Sequence, residues 1–171
     1  DFCLSRGLGD VYKRQVLFPG LRLAYLVVPA SQVATFRTAA QQYPGAGSIL
    51  SQAMVADFME QGHFTRHLRK MRTLYAQRHQ FLIDALSQTL GRRLYVSPQA
   101  GGIHVLAYLN GRNDDQALAA AARGRGLAVH ALNDWRMHTA GQGGLLMDFA
   151  NFKSAEETAI SVAELETLLC R

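Results

Sequence analysis

The hydrophobic pattern changes character twice along the chain. Val16–Val28 begins with a turn at Pro19-Gly20 and then runs from Leu21 to Val28 with one charged position, Arg22. A short apolar run bounded by prolines predicts a strand buried on both faces, as in a parallel sheet. From Ser31 to Leu90 the period lengthens to that of helices. Ser31 is placed to cap a short helix to about Gln42, and Tyr43–Ser48 is a loop by its Pro and Gly content. Leu50, Met54 and Phe58 predict a helix over Ile49–Gln61, ended by Gly62. His63–Leu90 is the longest periodic segment, with Phe64, Leu68, Met71, Tyr75, Leu82 and Leu86 on one face and Arg78 breaking the row.

Beyond Gly91, short segments replace long ones. Strands are predicted at Leu94–Val96, Ile103–Leu109, Leu127–Leu132 and Gly144–Ala150. One helix should follow Asn113, with Gln116 placed for a capping box, and a last helix should follow Ser154, with Glu157 in the same relation. The order β-β-α-β-β-α predicts a compact α+β unit, and Leu94–Leu169 is expected to be the part that folds by itself.

Charge adds little to this picture. The chain has 171 residues and a formal charge of +5, a mild excess that does not identify a nucleic-acid binder. Arg66, Arg69, Lys70, Arg72 and Arg78 crowd the long helix; they read as the solvated face of a connecting helix, the alternative being a nucleic-acid or membrane-surface element. His63 and His67 have the spacing of a helical metal pair, but no third ligand accompanies them, so they read as surface residues. Trp135, His104, His130 and His138 read as core or surface. No apolar run is long enough for a membrane span, and no membrane partner is expected. With Cys3 set aside below, Cys170 has no partner for an internal disulfide, in keeping with a cytoplasmic location. Arg22 is the candidate with chemistry: a guanidinium at the mouth of a buried strand is costly unless an anion meets it.

The stretch Val16–Pro29, VLFPGLRLAYLVVP, resembles the segment after the cofactor lysine in fold-type I pyridoxal-phosphate enzymes, Ser-x-Ser-Lys-x-Leu-x-Pro-Gly-Leu-Arg-Leu-Gly-Tyr. GHFTRHLRKMRTLYAQRH from Gly62 and AGGIHVLAYLNG from Ala100 resemble further segments of the MocR-type transcriptional regulators of the GntR family. These fuse a winged-helix DNA-binding domain to an aminotransferase-like domain. The resemblance implies an α/β fold, the C-terminal part of a fold-type I PLP-dependent class I/II aminotransferase. The end of the large domain and its connecting helix would occupy 16–90, and a small C-terminal domain 91–171.

Several expectations follow from the resemblance. Arg22 would bind the cofactor phosphate, and Gly101-Gly102 would let backbone approach the substrate. The parent protein would use pyridoxal 5'-phosphate, form a homodimer, sense an amine or amino-acid-like effector, and reach DNA only through an N-terminal winged helix. Two departures qualify this. Gln15 stands where the Schiff-base lysine belongs, so the chain should be inactive by itself. Leu146 stands where many family aminotransferases keep an arginine for the substrate carboxylate, in a pattern like Ile-Arg-Leu-x-Phe-Ala. A free-standing class I/II aminotransferase is the second reading, and a basic helical interaction module the third.

Asp1–Gln15, DFCLSRGLGDVYKRQ, has no period of either kind. Back-translated, it resembles from Ser5 onward a transposon adapter used in sequencing libraries, read in one frame. It is expected to be non-native, with the natural sequence starting at Val16 inside a longer gene. Excluding it removes Cys3, Arg6, Lys13 and Arg14 with Asp1 and Asp10, and lowers the formal charge to +4.

Overall fold

The computed structural model describes residues 27–42, 48–98, 102–137 and 141–170. The strand expected at Leu21–Val28 lies outside the described residues except for Val27 and Val28, which belong to no strand. The chain divides into two compact units, 1–71 and 72–171.

In the first unit a 3₁₀ turn, Ala30–Gln32, leads into α1, Val33–Gln42. Ser31 therefore sits inside the turn rather than capping the helix. Helix α2 covers Ile49–Glu60, and Gly62, at φ +74°, allows the chain to reverse before α3. Neither α1 nor α2 buries a residue.

Helix α3 spans His63–Leu90, the extent its periodicity predicts. It begins in the first unit and ends in the second, where Leu82, Ala85, Leu86 and Leu90 are buried. The helix ends before Gly91, where the backbone leaves room only for glycine: a Cβ there would lie 2.6 Å from the Ser87 carbonyl oxygen.

The second unit is a four-stranded antiparallel sheet in the order β1-β2-β4-β3. Its strands are β1, Leu94–Val96; β2, His104–Leu109; β3, Val129–Ala131; and β4, Gly144–Asp148. Helix α4, Asp115–Gly124, joins β2 to β3, and α5, Ala155–Leu169, follows β4. Because β4 runs antiparallel to both neighbours, β2 and β3 are parallel to each other with β4 inserted between them. Strict alternation along β2 sends Val105, Ala107 and Leu109 to the buried face. There they join Leu145 and Met147 of β4, Leu82, Leu86 and Leu90 of α3, Leu118 of α4, and Val162 and Leu165 of α5 in one core. Helices thus cover one face of the sheet, the usual arrangement for an antiparallel sheet with a single apolar face. Each fully buried leucine is worth roughly 1.5–3 kcal/mol of transfer free energy, so the second half of α3 is part of this unit. The compact unit accordingly starts at Arg72, upstream of the expected self-folding stretch Leu94–Leu169.

Two boundaries differ from the sequence reading for identifiable reasons. Leu127 N–H bonds the Ala122 carbonyl at the end of α4, which keeps it out of β3. Residues Leu132–Trp135 form a 3₁₀ turn instead of extending that strand. At α5 the expected Ser154 cap is present, its Oγ accepting from Glu157 N–H at 3.2 Å. The reciprocal Glu157 bond goes to Lys153 N–H, at 3.1 Å, and not to the cap residue. At α4 the cap position is Asp114 and not Asn113. Asn113 Oδ1 instead accepts from Gly143 N–H, and Gln116 donates to Asp134.

Candidate functional site

The face of the sheet turned away from the helices carries the polar side chains. Register fixes its membership: Tyr95 lies opposite Tyr108, Leu106 opposite Leu146, Leu146 opposite His130, and His104 opposite Asp148. Directly opposed residues share a face. Tyr95 and Tyr108 stack, with ring centroids 6.4 Å apart. His104 and Leu146 are half-buried, whereas His130 is exposed. Leu146, where the resemblance expects a carboxylate-binding arginine, thus stands mid-face on β4 among an aromatic pair, two histidines and Asp148. The strand offers no guanidinium for a bidentate grip on a carboxylate.

A buried carboxylate sets the geometry at one end of β4. Asp115, fully buried in the first turn of α4, accepts from Asn133 N–H at 3.1 Å, Asn133 Nδ2 at 2.9 Å and Gly144 N–H at 3.1 Å. A helix N-terminus is a favourable place for a negative charge. The chain is thereby tied at the turn after β3 and at the first residue of β4. Arg136 continues the tie, its Nη1 donating to Asn133 Oδ1 at 3.2 Å and to the Gln142 carbonyl at 3.0 Å. Arg136 thereby links Asn133 to Gln142.

The other end of β4 is held by α3. Phe149 is buried and meets the rings of Tyr75 and His79 edge-on, at 6.2 and 5.2 Å. Arg78 Nη1 donates to the Ala150 carbonyl. The charged residue that interrupts the apolar row of α3 is therefore the one that fastens the helix to the end of the strand. Sequence reasoning missed both Arg78 and Asp115. Each is an isolated polar residue whose partners lie far along the chain, so no local spacing announces it.

Of the predicted site residues, Arg22 and Gly101 lie outside the described residues, as does Gln15. Gly102 precedes β2 at φ +100°, a conformation that favours glycine. His138 also lies outside, and Trp135 is exposed. Among the described residues no group of three or more His, Cys, Asp or Glu could hold a metal ion, and no helix is long and apolar enough to cross a membrane.

The sequence family described as aminotransferase class I and II matches residues 15–143. The chain belongs to the class I and II aminotransferase family. Among curated proteins, members similar to it include the "Probable rhizopine catabolism regulatory protein MocR" of Rhizobium meliloti, 31% identical over 136 residues. That match covers 80% of this chain and 28% of the relative. The uncharacterized HTH-type transcriptional regulator YhdI of Bacillus subtilis is 25% identical, with 88% of this chain and 32% of the relative covered. The chain thus spans about a third or less of these relatives. Among solved structures, the α-aminoadipate aminotransferase LysN of Thermus thermophilus, complexed with N-(5'-phosphopyridoxyl)-L-leucine, superposes with a TM-score of 0.79 at 23% identity. It covers 92% of this chain and 40% of that one. The family fold is therefore shared.

Within that family a lysine-bound cofactor requires a primary amine, and the carboxamide of Gln15 cannot supply one. Where the resemblance expects that lysine, Gln15 does not fit covalent attachment, and no chemical step is assigned to this chain.

Proposed function

We propose that this chain is part of the aminotransferase-like effector domain of a MocR-type, GntR-family transcriptional regulator. The observation that carries the reading is the similarity to transcriptional regulators across 80% and 88% of the chain. The aminotransferase LysN, which shares its fold, is 23% identical. Leu146 supports the same reading, since without an arginine at that place standard transamination of an α-amino acid lacks its bidentate carboxylate grip.

In the full-length protein, pyridoxal 5'-phosphate would be held by a lysine in place of Gln15, with Arg22 on its phosphate. Gly101 and Gly102 would pass beside an amine or amino-acid-like effector. DNA would be recognised by an N-terminal winged helix, and the protein would act as a cytoplasmic homodimer. Its large domain would include 16–90 and its small domain 91–171. The test is to recover the complete gene and measure binding of its product to the DNA upstream of it. A winged helix ahead of the aminotransferase-like domain, with binding to that DNA, is expected. An upstream region encoding only the first half of an aminotransferase would favour the second reading, a free-standing enzyme of the same fold.

A further inference from the structure

The sheet face that carries Leu146 does more than lack a cation there. Leu146 and Asp148 alternate with buried neighbours along β4 and so share its half-buried side, about 7 Å apart along the strand. Asp148 Oδ1 accepts from Ala150 N–H at 2.6 Å, which fixes the carboxylate, and Asp148 takes part in no ion pair among the described residues. Across β2, Leu106 lies opposite Leu146 and His104 opposite Asp148; across β3, His130 lies opposite Leu146. None of these residues is a lysine or an arginine.

A carboxylate brought to this face would lose its water against Leu106 and Leu146 without gaining a fork of donors. It would also meet a fixed carboxylate of its own sign at Asp148. An uncharged alkyl end meets neither obstacle. Specificity is a difference of affinities, and a repulsive group contributes to it as much as a missing attractive one. We propose that this face selects amines that carry no carboxylate and rejects amino acids. The proposal rests on the effector reading and deepens it, narrowing the ligand from an amine or amino-acid-like molecule to a carboxylate-free amine.

The test uses the complete protein loaded with pyridoxal phosphate. It is titrated with butylamine, α-aminobutyrate and γ-aminobutyrate, which share a chain length and differ in carrying no carboxylate or one. Binding is read from the shift of the cofactor absorption band. Butylamine should bind about tenfold or more tightly than either acid. Asp148→Asn keeps an oxygen for the Ala150 N–H and should narrow that gap by removing the repulsion. Leu146→Arg combined with Asp148→Asn should reverse it, because a guanidinium then grips the carboxylate. Circular dichroism checks that the variants fold; should the double variant fail to, Asp148→Asn alone decides. Tighter binding of either acid than of butylamine, a gap indifferent to the substitutions, or no band shift with any of the three compounds would overturn the proposal. The regulator reading is decided separately by the complete gene and its binding to DNA, so failure here would leave it standing.

Discussion

Asp115 shows how much of this unit depends on single polar side chains. Its carboxylate satisfies three buried or half-buried N–H groups, from Asn133 and Gly144. Removing it leaves those donors without a partner, at a cost of roughly 1–3 kcal/mol for each group that water cannot reach. Asp115→Ala should therefore lower unfolding stability in urea by about 3 kcal/mol or more, with Asp115→Asn in between because one acceptor oxygen remains. A loss below about 0.5 kcal/mol would show that the network holds nothing. Its neighbour Asp114 behaves differently. Arg112 donates to both of its oxygens, at 2.9 and 2.6 Å, and this hydrogen bonding holds the Asp114 carboxyl below its ordinary range. A depressed carboxylate contributes stability that is present above the unfolded value and lost as pH falls through the folded one. The stability of wild type and Asp114→Asn should converge on acidification below the ordinary carboxylate range; a constant gap across that window would contradict the assignment. From sequence, both residues announced only the start of a helix. Which one is buried is decided by Asn133 and Gly144, far along the chain.

Among the elements, α3 was fully legible and the β3–β4 connection was not. A 28-residue helix repeats its apolar period often enough to fix both ends. A three-residue strand such as Val129–Ala131 has no period to read, and its limits come from bonds made elsewhere, by Ala122 on one side and Asp115 on the other. Arg78 is the same lesson inside a helix: its charge looked like an interruption, yet its guanidinium reaches the Ala150 carbonyl. Arg78→Gln is too short to make that bond and should loosen the α3–β4 junction while sparing the rest of the sheet. Amide hydrogen exchange should rise over Tyr75–Leu82 and around Phe149, with β1 and β2 unchanged. Uniform acceleration throughout, or none, would count against a local fastening role.

At the scale of the molecule, the order of strands and helices after Gly91 was readable because each element is local, but the core's dependence on the long helix was not. The core borrows Leu82, Leu86 and Leu90 from the long helix. A chain beginning at Arg72 should unfold cooperatively, whereas one beginning at Leu94 should not, since deleting three buried leucines removes on the order of 5 kcal/mol, comparable to a small domain's whole stability. Equal cooperativity of the two would place the boundary later. The polar sheet face was legible only through resemblance: nothing in the spacing of Leu146 says that it stands where the resemblance expects a cation. The central claim, that this is an aminotransferase-family segment without its own cofactor lysine, is tested most directly by visible absorption after incubation with pyridoxal phosphate and dialysis, followed by borohydride reduction and mapping of any adduct. No stoichiometric band and no fixed adduct are expected for this chain, whereas the full-length protein should show both. A stoichiometric adduct on Lys13, Lys70 or Lys153 of this chain would contradict the account.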